Sequence, residues 1–172
     1  MKKVFLAFAL LLATLTVQAQ DVFSKGSNNV NVGIGLGGNY FPIEASYEHC
    51  IKDNLIKGEN GSIGIGGYFA WYGDSEKYGG VKWNYNHFVF GVRGAFHYQF
   101  VEKLDTYAGL MVGYNVASSS YDGETSVSGS ADNVFLPGLY AGARYYFSPN
   151  VAVYSELGYG AAYLSAGISF HF

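Results

Sequence analysis

The chain closes on AAYLSAGISFHF, residues Ala161–Phe172. Counting back by twos from the end gives Phe172, Phe170, Ile168, Ala166, Leu164 and Ala162, all apolar. The residues between them, His171, Ser169, Gly167, Ser165, Tyr163 and Ala161, are small, polar or amphipathic. Strict alternation with period two describes a strand with one apolar and one mixed face. What the apolar face touches has to be settled by the rest of the chain.

The other end narrows the choice. Met1-Lys2-Lys3 is a short basic start, Val4–Val17 is almost wholly apolar, and Val17 and Ala19 occupy the small positions of a signal-peptidase site. This pattern predicts a secretory leader over residues 1–19, removed after Ala19, and a single domain over 20–172. The apolar run is too short for a spanning helix. No cysteine lies near the cleavage point, which argues against lipoprotein processing. Removing Lys2 and Lys3 lowers Lys+Arg from 10 to 8 against 13 Asp+Glu, so the mature net charge is -5 and nucleic acid is excluded as a partner. The single cysteine, Cys50, cannot form an internal disulfide and reads as a small packing residue.

Aromatic residues make up 18% of the chain and charged residues only 13%, well below the roughly 25% charged residues of ordinary globular domains. There is no mature apolar run long enough for a transmembrane helix. An exported chain rich in Tyr, Phe and Gly, with few charges and alternating patterns, points to β-structure in a membrane. Only a closed barrel lets strands cross a bilayer, because each backbone N–H and C=O needs a partner there.

The alternation recurs along the whole mature chain. Val30, Val32, Ile34 and Leu36 oppose Asn31, Gly33, Gly35 and Gly37; Ile43, Ala45, Tyr47 and Ile51 oppose Glu44, Ser46, Glu48 and Cys50. Similar segments run from Ile63 to Trp71, Phe88 to Gln99, Tyr107 to Val116, Phe135 to Phe147 and Val151 to Tyr159, before the final strand. Eight such segments, each near the ~9–11 residues of a tilted membrane strand, predict an all-β, eight-stranded antiparallel up-and-down transmembrane barrel.

The mixed faces hold the charges of these segments: Glu44, Glu48, Arg93, Arg144 and Glu156. They also hold most of the glycines within these segments, which suits the narrow interior of a small barrel. The apolar set is therefore assigned to lipid and the mixed set to the lumen, the inverse of a soluble barrel. Aromatics gather at segment ends: Tyr40, Phe41, Trp71, Tyr72, Trp83 and Tyr85 at one rim, and Tyr98, Phe100, Tyr145, Phe147, Phe170 and Phe172 at the other. Two such girdles fit two membrane interfaces.

Loop lengths orient the strands. Asp74–Asn84 and the Gly/Ser-rich stretch Ser119–Asn133 are the long extracellular kind, whereas Val101–Asp105 and Ser148–Asn150 are short periplasmic turns. The connection IKDNLIKGENGS, residues 51–62, is long for such a turn. If Ser148–Asn150 is a three-residue turn, Phe147 faces Val151, and Arg144 lies opposite Tyr154 and diagonal to Glu156. A Gly160-Ala161 turn would pair Tyr159 with Ala162 and Leu157 with Leu164.

With these features the chain resembles the small outer-membrane β-barrels of the OmpA/OmpX transmembrane type, also described as the generic outer membrane protein beta-barrel or porin-family domain. The resemblance rests on the leader, on YAGARYYFSPNVAVYSELGYG (residues 140–160) and on AGISFHF (residues 166–172), and it covers Val30–Phe172. It implies a bacterial outer-membrane protein surrounded by outer-membrane lipid. It also implies that Phe172, with Phe170 and Ile168 on the same face, is the signal read by the barrel-assembly machinery. Unlike full-length OmpA proteins, the chain is expected to carry no peptidoglycan-binding domain after the barrel.

The lumen residues Glu44, Glu48, Arg93, Arg144, Glu156 and Tyr154 read as an internal salt-bridge network plugging a closed barrel. A narrow ion path, in a small porin-like channel, is the alternative. Lipid A chemistry would need Ser, His and an acid together near the outer leaflet. His97, His171 and His49 fall at the periplasmic end, and His87 has no such companions. No metal-ligand spacing appears, no cofactor is expected, and GIGLGG (Gly33–Gly38) lacks the helix a nucleotide loop needs. A soluble ligand-binding barrel is the least favoured reading. The remaining candidates for a surface partner are loop residues: Asp74, Glu76, Lys77 and Tyr78 in one loop, Tyr121, Asp122, Glu124 and Asp132 in the next. The leader assignment predicts that intact-mass measurement of the exported protein finds a chain beginning at Gln20; a mass that retains Met1–Ala19 would refute it.

Overall fold

The computed structural model describes residues 22–56, 61–78, 81–122, 128–130 and 133–172; the predicted leader lies outside them. Among the described residues nine strands follow in order: β1 (Asn28–Leu36), β2 (Ile43–Lys52), β3 (Ser62–Tyr78), β4 (Val81–Val101), β5 (Leu104–Asp122), β6 (Ser128–Ser130), β7 (Val134–Ser148), β8 (Val151–Tyr159) and β9 (Leu164–His171). All pairings are antiparallel, and the ladder runs β4-β3-β2-β1-β9-β8-β7-β5, with β4 pairing β5 to close the circle. Eight strands thus form a closed barrel, and β6 is a short addition beside the far end of β5, from Ser118↔Ser130 to Ser120↔Ser128.

Closure joins the first and last strands. β1 and β9 pair from Asn29↔His171 to Leu36↔Leu164. The backbones of Asn28 and Phe172 then exchange two hydrogen bonds, at 2.9 and 3.0 Å. Both ends of the barrel sequence meet at the end that holds the Val101–Leu104 and Ser148–Val151 turns, called here the turn end.

Alternation sorts the side chains as expected. Val32, Ile34, Ile65, Phe90, Val92, Leu110, Leu139, Leu157 and Phe170 stand exposed on the outer wall, while Glu44, Glu48, Arg93, Arg144, Glu156 and Tyr154 are buried. A contiguous apolar exterior around a charged interior is what lipid requires of a barrel and what water does not.

Several expectations need correction. The segment Asp74–Tyr78 belongs to β3 and Val81–Asn84 to β4, paired from Asp74↔Tyr85 to Tyr78↔Val81. Asp74, Glu76, Lys77 and Tyr78 are therefore strand residues, not loop residues. Tyr121 and Asp122 are likewise on β5, opposite Trp83 and Lys82. Continuous hydrogen bonding carries these polar strands beyond the apolar belt, where period-two hydrophobicity no longer marks them. Glu124 and Asp132 lie outside the described residues. At Ser148–Asn150 the ladder slips by a bulge, so Ser148 rather than Phe147 faces Val151, although Arg144↔Tyr154 holds as expected. Leu157↔Leu164 also holds. The Tyr159–Ala162 pair does not form, because the bend spans Gly160–Tyr163 and closes through a hydrogen bond from the Gly158 N–H to the Tyr163 carbonyl.

The outward face gives a direct test. Leu110 is 66% exposed. In lipid, Leu110→Arg is expected to cost about 2–4 kcal/mol in reversible denaturant unfolding. A change within about 0.5 kcal/mol, the usual result for a water-exposed position, would contradict the lipid assignment.

Candidate functional site

The lumen is crossed by a ring of ionic side chains from four strands. Glu48 comes from β2, His97 from β4, Asp105 from β5 and Arg144 from β7. Each projects inward because it sits on the mixed face of its strand. Arg144 Nη2 donates to Glu48 Oε2 at 2.5 Å and Nη1 donates to Asp105 Oδ2 at 3.0 Å. His97 closes the ring: its Nε2 lies 2.9 Å from Glu48 Oε1 and its Nδ1 2.9 Å from Asp105 Oδ1. With a carboxylate at each ring nitrogen, both hydrogen bonds are made when the imidazole carries two N–H groups. Two cations then balance two carboxylates, the condition for tolerating charge in a dry interior. Arg144 is fully buried, its Nε donates to Asn31 Oδ1 at 3.3 Å, and its guanidinium lies 4.4 Å from the Tyr107 ring centre.

A second layer lies further along the axis. Arg93 Nη2 donates to Glu156 Oε1 at 2.7 Å, and Tyr107 Oη donates to the same oxygen at 2.8 Å. The Arg93 guanidinium sits 3.8 Å from the centre of the Tyr140 ring. Tyr68 Oη donates to Glu44 Oε1 at 2.7 Å. Tyr154 is buried opposite Arg144 on the ladder. The glycines of the inner face make room for these groups. A Cβ on Gly142 would meet Glu156 Cγ at 2.7 Å and the Tyr107 ring at 2.8 Å; one on Gly64 would meet the Glu48 carboxylate at 2.7 Å.

At the opposite end from the turns, three rings stack across the mouth. Tyr40 lies 4.0 Å from Tyr72 and Tyr72 4.6 Å from His87, all nearly parallel. Tyr40 comes from the β1–β2 connection, and its burial raises its phenol pKa above the usual range. The Asn115 amide reaches His87 Nδ1 at 3.1 Å.

Between layers and mouth there is little space. A cavity of about 30 Å³ adjoins Arg93, Glu156 and Glu44, enough for a water or two and far below the ~300–1,000 Å³ of small-molecule sites. Among the described residues, no group of three His, Cys, Asp or Glu side chains is placed to hold a metal ion.

The structure thus brings together the predicted lumen residues, but with different pairings. The diagonal reach of Arg144 to Glu156 is not used, because Arg93 holds Glu156 and Arg144 holds Glu48 and Asp105. Two ring members escape the sequence reading. Asp105 looks like a turn residue, although it falls in step with Tyr107, Gly109 and Met111 on the inward set. His97 is recognisable as inward-facing, but of its two carboxylate partners Asp105 looks like part of the turn and Glu48 comes from a strand remote in sequence. Of the proposed assembly signal, Ile168 and Phe170 face outward opposite Val32 and Val30, and Phe172 is exposed at the turn end.

Arg144→Met leaves Glu48 and Asp105 without one of their two shared cations, and is expected to lower unfolding stability by about 3–5 kcal/mol. Adding Glu48→Gln to it should cost less than the sum of the two single changes. A loss below about 1 kcal/mol, typical of solvated surface pairs, would mean that the ring is not dry.

No protein-family model matches the chain, and no curated protein matches it in sequence. Solved structures do match in fold. Ail, the attachment invasion locus protein of Yersinia pestis, aligns over 86% of this chain and 99% of its own with a TM-score of 0.56 and 15% identity. The N-terminal β-barrel domain of Pseudomonas aeruginosa OprF aligns over 86% and 98% with a TM-score of 0.53 and 14% identity. A de novo designed transmembrane β-barrel aligns over 90% and 100% with a TM-score of 0.55 and 20% identity. At these identities the likeness is one of fold: the chain is an eight-stranded barrel resembling the small barrels of bacterial outer membranes.

Proposed function

We propose that the protein is a non-enzymatic outer-membrane barrel with a closed lumen, acting in envelope structure or in surface interaction through the end opposite the turns. The observation that carries this reading is the Arg144–Glu48–His97–Asp105 ring, whose charged groups are spent on one another across the lumen. A conducting pore needs charges that face water, and a hydrolase needs a nucleophile and base free to meet a substrate. The turn end is read as periplasmic and the far end as extracellular, since short turns and long outer segments are the habit of such barrels. Lipid around the apolar wall and recognition of the Phe172 strand by the assembly machinery belong to the same reading.

The wall facing outward is uneven. β2 leaves β3 at Ile43↔Trp71, and β7 leaves β5 at Asn115↔Val134. β3, β4 and β5 continue together to Tyr78, Val81 and Asp122, roughly 20 Å further along the strands. This tall polar sheet, which carries Asp74, Glu76, Lys77, Tyr78, Tyr121 and Asp122, is the surface the proposal assigns to a partner.

Reconstituted in planar bilayers, the protein is expected to show no stable stepwise current; reproducible unitary conductance would favour the small-channel reading instead. An epitope inserted at Gly79-Gly80 should be labelled by an impermeant antibody on intact cells. Labelling only after the outer membrane is permeabilised would reverse the orientation.

A further inference from the structure

Val22–Ser27 takes no part in the barrel ladder, yet Val22 and Phe23 are 3% and 7% exposed, as buried as the lumen itself. The Phe23 ring lies against the His97 imidazole, with centroids 4.1 Å apart, and the Arg144 guanidinium is 5.9 Å from its centre. Val22 packs with Tyr146 and Ala152. Backbone bonds tie the segment to the end of β2: Gly26 N–H donates to the Cys50 carbonyl and Cys50 N–H to the Ser27 carbonyl, both at 3.0 Å. The Lys25 N–H donates to Asp53 Oδ2 at 2.8 Å, in the long β2–β3 connection. Gly26 turns the chain with φ +93°, a conformation that favours glycine. The segment therefore lies over the turn end, with its aromatic ring seated on the ionic ring.

We propose that Val22–Ser27 is a plug: a built-in ligand for a pocket at the turn end, which takes a short apolar-aromatic peptide and releases it without opening the barrel. The pocket is formed by His97, Arg144, Tyr146, Ala152 and Cys50. The contrast in anchorage carries the claim of reversibility. Each barrel strand is held by ladders on both sides, whereas the plug is held by two apolar side chains and a few hydrogen bonds. Elements anchored so lightly open at much lower free energy than the strands beneath them. The proposal goes beyond the closed-lumen reading and does not depend on whether the lumen conducts.

The chain carries its own reporter. Cys50 is the single cysteine, has no exposed surface, and its thiol donates to the Phe23 carbonyl, at 3.8 Å. The experiment labels the purified full chain, folded in detergent or nanodiscs, with a small charged maleimide. Wild type is expected to react slowly. Phe23→Ala is expected to react at least about tenfold faster while keeping the heat-dependent gel shift of an intact barrel. A synthetic QDVFSKGS peptide should slow that reaction, and its Phe-to-Ala counterpart should not. Should Phe23→Ala not fold, Asp53→Ala removes only an outer tether and is expected to label about threefold faster. Equal rates in wild type and the folded variant, or a peptide without effect, would overturn the proposal.

Discussion

The constraint on which everything else rests is closure of the ladder between β1 and β9. A sheet in lipid cannot leave an edge, because unpaired backbone groups there cost several kcal/mol each. Here the first and last strands supply one another's partners, from Asn29↔His171 to Leu36↔Leu164. β9 therefore has to keep its alternation along the whole pairing, and Phe170 is part of the wall. The same closure creates a narrow interior that the side chains must fill.

That interior is filled with charge, and the filling dictates its neighbours. Arg144 is tolerable only because Glu48 and Asp105 reach it, and those carboxylates are tolerable only because His97 meets both. The four residues come from β2, β4, β5 and β7, so the ring ties β2 across the lumen to the neighbouring strands β4, β5 and β7, with which it does not pair. Glycines such as Gly64 and Gly142 lie where a methyl group would strike the network. Aromatic rings cover the ring and its companion pair: Phe23 at the turn end, Tyr107 and Tyr140 between the layers, the Tyr40–Tyr72–His87 stack at the far mouth.

Local pattern made the barrel legible, and it did so because membrane strands obey a strict period. The outward Val32, Phe90 and Leu110 and the inward Glu48, Arg93 and Arg144 could all be assigned from alternation alone. Partners were harder. Which cation meets which carboxylate depends on strand stagger around the circle, and nearest-neighbour register reaches only one strand away. Thus Arg144↔Tyr154 was readable while Arg144–Glu48 was not. The polar outer extension from Asp74 to Tyr78 was hidden for another reason: outside lipid a strand needs no alternation to be stable when its neighbour continues beside it. The plug left only Val22-Phe23 as a trace, two apolar residues with no period to place them.

Wall, lumen and ring all require a closed barrel whose apolar side faces lipid. Its most direct test is the electrophoretic mobility of the membrane-extracted protein in denaturing detergent, with and without boiling. A barrel closed by continuous backbone pairing resists the detergent until heated, so the account predicts two distinct mobilities. A single mobility, together with release from membranes without detergent, would mean that the apolar face is buried inside. The assignments of wall and lumen would then be wrong.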